Sequence, residues 1–230
     1  MRPARPGLTW LSERPYAHRG LHGPGAPENS MAAFRAAIAG GYGIECDVRL
    51  SRDGVTYVFH DRALARLTGV PGRIDDLDAA DIAGLRLPGT DEAVPRLAAL
   101  LALCGETPLL VEIKSDRNAF ALARLCAAVA RDMVDHEGPA AVIGFDPRAL
   151  HWFAAHQPRV QRGQTLPRRR QRAMKALAIA RARPHFLTCD VRDLPGTTPS
   201  RRLPLIVWTV RTARQRILAA RQGAQIIFEG

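Results

Sequence analysis

The sequence predicts an α/β fold, with β/α units arranged around a largely parallel sheet, and three observations predict it. Short apolar runs rich in β-branched residues recur along the chain, stretches of helical pattern separate them, and reactive side chains gather at the ends of the first four runs. The candidate strands are residues 16–20, 43–50, 56–61, 108–114, 140–146, 160–165, 185–190, 203–210 and 224–229. Nine is one more than an eight-stranded barrel requires.

The surplus strand is accounted for at Ser51-Arg-Asp-Gly54, where an Asp-Gly pair separates two apolar runs too closely for a helix to fit. That spacing predicts a hairpin, so 56–61 leaves the simple parallel pattern. Two helices are clear. Residues 29–39 run from the capping-type Asn29 to Gly40-Gly41, and residues 118–134 place Phe120, Ala123, Leu125 and Val129 among alanines, so both are expected in an outer layer over the sheet. Residues 62–107 break the rhythm with Gly69, Pro71, Gly72, the acidic group Asp75, Asp76 and Asp78, and Pro88-Gly89. They read as a short insertion after the third strand, in a chain without a polar low-complexity linker or an internal repeat. Residues 1–230 are therefore expected to form one domain.

Composition narrows the function classes. Hydrophobic residues make up 47% of the 230, too many for a disordered chain, and charged residues break every Ala/Leu run well short of the roughly 18 consecutive apolar residues of a membrane span. With 33 basic and 22 acidic residues the net charge is +11, which admits nucleic acid, membrane surfaces and phosphorylated molecules as partners. All the basic residues but Lys114 and Lys175 are Arg, in a chain also crowded with Ala, Gly and Pro; a general bias in residue usage produces such a charge over the whole surface. Cys46, Cys104, Cys126 and Cys189 form no Cys-x-x-Cys pair, and the stretch from Met1 to Glu13 has no apolar segment of secretory length. A cytoplasmic protein with reduced thiols is expected.

The first strand ends at His18-Arg19-Gly20, the second carries Glu45 and Asp47, the third ends at His60-Asp61 and the fourth carries Glu112 and Lys114. Side chains two apart on a strand share a face, so Glu45 and Asp47 point the same way, as do Glu112 and Lys114. Two carboxylates in a confined interior repel unless one is protonated or a cation lies between them. Glu112 can supply a third oxygen, and hard oxygen ligands favour Mg²⁺ or Ca²⁺ over zinc. The bland alternative is a set of internal ion pairs with no chemistry.

Taken together, Ala17-His-Arg-Gly20, Pro27-Glu-Asn-Ser30 followed by Ala33-Phe34, Ile44-Glu-Cys-Asp-Val48, Asp53-Gly54, Phe59-His-Asp61, Leu67-Thr-Gly69, Glu112-Ile-Lys114 and Val207-Trp-Thr-Val210 resemble the motifs of the glycerophosphodiester phosphodiesterase family, in that family's order. The resemblance implies a (β/α)₈ TIM barrel, slightly irregular, related to that of phosphatidylinositol-specific phospholipase C. It implies Glu45, Asp47 and Glu112 as ligands of a divalent cation, Mg²⁺ or Ca²⁺, with His18 and His60 as an acid/base pair. It further implies that Arg19 and Lys114 face the phosphate, that Trp208 stands at the barrel mouth, and that the substrate is a small glycerophosphodiester cleaved to sn-glycerol 3-phosphate and an alcohol.

This chain departs from the family pattern in three places. Ser30 stands where Thr is common, Pro95-Arg-Leu-Ala-Ala99 replaces a Pro-Thr-Leu-Glu-Glu helix start, and Gly223-Ala-Gln-Ile-Ile-Phe-Glu-Gly230 replaces a Gly-Val-Asp-Gly-Ile-x-Thr-Asp ending, with Glu229 in place of the terminal Asp. Rival readings are a lysophospholipase D or sphingomyelinase-D-like activity on lysolipids, a catalytically inactive barrel, and a basic barrel binding anionic partners through Arg168-Arg-Arg-Gln-Arg172 with Arg162, Arg181 and Arg183. That run has little aromatic interleaving, which disfavours nucleic acid and favours a solvated face; peripheral membrane contact stays open, and no oligomeric state is read. His22, His136, His151, His156 and His185 are read as surface or structural residues, and Asp146 and Asp190, each at a strand end, as contacts to the site or caps of the next helix, capping being the commoner role.

Overall fold

The computed structural model describes residues 7–115, 118–168, 171–194 and 203–230. Strands β1 (Tyr16–His18), β2 (Gly43–Leu50), β4 (Leu109–Ile113), β5 (Ala140–Gly144), β6 (Gln161–Leu166), β7 (Phe186–Asp190), β8 (Leu205–Val210) and β9 (Gln225–Phe228) run parallel, and pairing of β1 with both β9 and β2 closes them into an eight-stranded barrel. The ninth strand, β3 (Thr56–Val58), pairs antiparallel with the end of β2, as the Asp-Gly turn requires.

The strand interiors alternate between two apolar cores. One set of side chains, among them Tyr16, Leu110, Ile143, Phe186, Ile206 and Ile227, fills the barrel. Their alternates, including Ile44, Val111, Val142 and Val207, pack outward against the helices. Two glycines make room for the inner layer: a Cβ at Gly43 would meet the Tyr16 ring at 2.7 Å, and one at Gly163 the Phe186 ring at 2.3 Å.

The outer layer holds α1 (Met31–Ala39), α4 (Leu97–Cys104), α5 (Ala119–Asp132), α6 (Pro147–His156), α7 (Arg172–Ala182) and α8 (Ala213–Arg221). The remaining short helices, α2 (Ala65–Thr68) and α3 (Ala79–Ala83), lie in the segment after β3, where Leu64, Ile74, Ile82 and Leu87 form a small core against Tyr57 and Phe59. That excursion ends sooner than 62–107 predicts, because Leu97, Leu100 and Leu101 of α4 belong to the main core. After β7 a 3-10 turn, Val191–Asp193, stands where the repeating pattern expects a helix.

Two expectations need correction. Ser30, not Asn29, caps α1: its hydroxyl accepts from the Ala33 N–H at 3.1 Å, while Asn29 is left-handed at φ 57°. Phe120, expected to help cover the sheet, is 73% exposed in the first turn of α5. Asn118 caps α5, Asp146 caps α6 and Asp190 caps the 3-10 turn, each through its side chain. Of the 168–172 run, Arg169 and Arg170 lie outside the described residues; Arg168 approaches Asp193 at 3.6 Å and Arg172 opens α7.

Candidate active site

Strand register assembles the site. His18 is opposite Glu45 across the β1–β2 ladder, and Asp47 is opposite Glu112 across β2–β4. Because residues in register lie side by side, these four side chains rise together at the carboxyl end of the barrel, where the chain leaves each strand for its helix. Carboxylate oxygens of Glu45, Asp47 and Glu112 all lie within 4.8 Å of one another.

Two cations run through this acidic group. The Lys114 ammonium is 2.7 Å from Asp47 Oδ1 and 2.6 Å from Glu112 Oε1. Arg19 places Nε 3.1 Å from Asp47 Oδ2 and Nη1 2.7 Å from Glu28 Oε1, while its backbone N–H donates to Glu45 Oε2 at 3.2 Å. Arg19 reaches this position from a left-handed backbone, φ 58°, a strained conformation for a residue with a side chain. Gly20 follows at φ 80°, where a Cβ would come within 2.8 Å of the Ala33 backbone, so only glycine fits. Asn29 completes the first rank, donating through Nδ2 to Asp47 Oδ2 at 3.0 Å.

Three carboxylates against two cations leave a surplus of negative charge. Burial acts to raise the Asp47 carboxyl, but Lys114 and Arg19 outweigh it and hold it below the usual range. Glu45 is pushed well above the usual range by burial and by Asp47 and Glu112. Burial also raises Glu112, against the pull of Lys114. The residues thus fit a hard divalent cation: three converging buried oxygens, one of them strained by its neighbours' charge. The expected internal ion pairs are present too, but at Glu45 the bland alternative fails, since no Lys or Arg side chain forms an ion pair with it among the described residues.

The two imidazoles flank the acids. His18 Nε2 is 4.0 Å from Glu45 Oε2, and burial, then Arg19, pull its pKa down to about 4. His60 Nδ1 lies 2.6 Å from Asp61 Oδ1, and Arg49 Nε donates to the His60 carbonyl at 2.7 Å. Burial lowers the His60 pKa as well, with Asp47 opposing. Both shifts favour the neutral imidazole.

A cavity of about 450 Å³ opens above these groups. His18, Arg19, Glu45, His60, Glu112 and Lys114 line one side; the other is built by Ile143, Phe145, Thr165, Thr188, Asp190 and Trp208. The Trp208 ring meets Phe145 edge-to-face at 5.6 Å, and its indole Nε1 has no hydrogen-bond partner among the described residues. Every predicted site residue except Asp47 lines this cavity, and Asp47 sits beneath it in contact with Lys114 and Arg19.

Several contributors were not foreseen. His22, read as structural, places Nε2 3.4 Å from Glu229 Oε1, whose other oxygen lies 3.5 Å from His18 Nδ1 and is also paired with Arg211. Glu229 thus occupies the site's edge, joining the last strand to the first. Asp61, Arg49 and Asn29 buttress catalytic-type side chains; Asp61 and Asn29 fall inside the matching motifs, but their contacts depend on barrel closure. Asp190, for which the sequence offered a cap or a site contact, does both.

Comparison with known proteins gives one consistent answer. The sequence profile of the Glycerophosphoryl diester phosphodiesterase family matches residues 18–228. The "Probable glycerophosphodiester phosphodiesterase 2" of Mycobacterium tuberculosis is 40% identical over 100 residues, a stretch that spans 43% of this chain and 38% of that protein. A phosphodiesterase from Oleispira antarctica, solved with the product sn-glycerol-3-phosphate, superposes with a TM-score of 0.82 at 22% identity, covering 95% of this chain and 93% of the other. A glycerophosphodiester phosphodiesterase from Agrobacterium tumefaciens superposes at 0.72 with 26% identity, covering 93% and 94%.

Proposed function

The chain belongs to the glycerophosphoryl diester phosphodiesterase family, and on that premise we propose that it hydrolyses glycerophosphodiesters to sn-glycerol 3-phosphate and an alcohol. One observation carries the proposal: two imidazoles, Arg19 and Lys114 line a single cavity with Glu45 and Glu112, whose carboxylates converge with that of Asp47 at its floor.

Glu45, Asp47 and Glu112 would hold a divalent cation, Mg²⁺ or Ca²⁺, which would supply positive charge to offset that of the phosphodiester. Arg19 and Lys114 orient the diester and stabilise the charge that builds on it during attack. One of His18 and His60 accepts the proton of the glycerol 2-hydroxyl as that oxygen attacks phosphorus. The other donates a proton to the alcohol as the phosphorus–oxygen bond to it breaks, leaving a cyclic phosphate. Water then opens the ring with the two roles exchanged. Asp61 accepts from the Nδ1–H of His60, which turns that ring's Nε2 toward the reacting atoms, while Glu229 stands 3.5 Å from His18 Nδ1 and favours a proton there. Trp208 and Phe145 pack against the departing head group.

The enzyme acts as one domain, residues 1–230. No helix of the described residues is long and apolar enough to cross a membrane, and four buried free cysteines accord with a reducing cytoplasm. Assay of glycerol 3-phosphate release from glycerophosphocholine and of choline release from lysophosphatidylcholine tests the substrate class. Turnover of the diester at the higher kcat/KM supports the proposal, and exclusive turnover of the lysolipid overturns it.

A further inference from the structure

The charge of this chain is segregated, and the bias in residue usage that explains its abundance of Arg does not explain the segregation. Residues 1–138 hold 16 basic and 18 acidic side chains, whereas residues 139–230 hold 17 and 4. The first part holds 15 Arg and the shorter second part 16, so the second is both denser in Arg and nearly without acid. The four acids of the second part are each in an ion pair, Asp146 with Arg148, Asp190 with Arg192, Asp193 with Arg168 and Lys175, and Glu229 with Arg211. A strongly cationic half-barrel remains, facing away from the acidic catalytic strands.

The same half exposes large apolar side chains beside its arginines. On α7, Met174 and Leu177 are 46% and 70% exposed and follow the exposed Arg172; on α8, Ile217 is 56% exposed and follows the exposed Arg214. These positions belong to the first two turns of helices that start at the carboxyl end of the barrel, so they lie toward the mouth. Residues three or four apart on a helix share a face, so α8 presents Arg214 beside Ile217 and α7 presents Leu177 beside the exposed Arg181.

We propose that the β5–β8 arc of the mouth, with the outward faces of α7 and α8, docks on an anionic lipid bilayer. Charge complementarity selects an anionic partner, and the pairing of Arg with exposed aliphatic residues selects a bilayer, whose interface takes up both. Nucleic acid is the weaker fit, because the side chains between the arginines of α7 and α8 are aliphatic and offer no stacking surface for bases. Docking would direct the cavity mouth at the membrane surface. The inference does not depend on the catalytic reading.

The test is co-sedimentation of the full chain with vesicles of phosphatidylglycerol and phosphatidylcholine in equal parts, against phosphatidylcholine alone and against duplex DNA. Binding to the anionic vesicles is expected to exceed that to the neutral ones at least tenfold, as estimated at about ten from several basic residues near the surface, and to weaken with salt. Arg172→Glu with Arg214→Glu should reduce it by about tenfold or more. Leu177→Ser with Ile217→Ser should reduce it about threefold or more. Arg35→Glu with Arg86→Glu, the same charge change on the first half, should leave it within about twofold. Equal binding to both vesicles, binding to neither, tighter binding to DNA than to anionic vesicles, or equal losses in the two charge-reversal variants would each overturn the proposal. So would insensitivity to the Leu177 and Ile217 changes.

Discussion

The two sides of the cavity are built differently. The side formed by β1, β2 and β4 with the segment after β3 carries His18, Arg19, Glu45, Asp47, His60, Glu112 and Lys114, all tied to one another within 4.0 Å contacts or through neighbouring carboxylates. The side formed by β5 to β8 presents Ile143, Phe145, Thr165, Thr188 and Trp208, and its charged members are paired at the rim, Asp190 with Arg192 and Arg211 with Glu229. The difference teaches a division of labour: preorganised charge where bonds change, adaptable surface where a head group rests. Substitutions on the first side should act on kcat, and those on the second on KM.

The largest effects belong to the histidines. His18→Ala and His60→Ala should each lower kcat by about 10²- to 10⁴-fold with the fold kept, as near-ultraviolet circular dichroism would verify. Near-normal turnover in either variant would break the division at its strongest point. Trp208→Ala should raise KM about five- to tenfold with kcat little changed, from loss of one aromatic contact. An equal fall in kcat would mean that the second side takes part in the chemistry.

Stability gives a subtler contrast. Glu45 is raised above the usual range, so the folded protein without metal is most stable when this group is protonated and loses stability as pH rises through its folded value. Glu45→Gln should therefore raise Tm at pH 7 in EDTA, by about 2–4 °C for each 1 kcal/mol of repulsion relieved. Wild type should gain more than the variant on adding Mg²⁺ or Ca²⁺, about 2.7 kcal/mol at a hundredfold excess over Kd. His18 shifts the other way. Its pKa falls from about 6.5 to about 4 on folding, so its contribution is full above 6.5 and is lost as pH falls from there toward 4. The acid-induced loss of Tm over that window should be smaller in His18→Gln than in wild type.

Much of this was legible in the sequence, for a local reason. Period-two alternation puts Glu45 with Asp47 and Glu112 with Lys114 on shared faces whatever the rest of the chain does, and the Asp53-Gly54 turn assigns β3 to a hairpin. What escaped depends on closure of the barrel. His22 meets Glu229 only because β1 pairs with β9, and Asn29 reaches Asp47 only because α1 begins one residue later than its capping pattern indicates. Lys114 was placed near the acids, but its insertion between Asp47 and Glu112 needs the β2–β4 register. The 3-10 turn after β7 had no local signal either, since 191–193 continues straight from a strand-like run.

The central claim is that the acidic group and the imidazoles together make a cation-dependent phosphodiesterase. The most direct test follows glycerophosphocholine by ³¹P NMR with Mg²⁺, Ca²⁺ or EDTA, in wild type and Glu45→Ala. The account predicts that the diester signal gives way to that of glycerol 3-phosphate only with a divalent cation and only in wild type. Conversion that persists in EDTA and in Glu45→Ala, or no conversion with either cation, would contradict it.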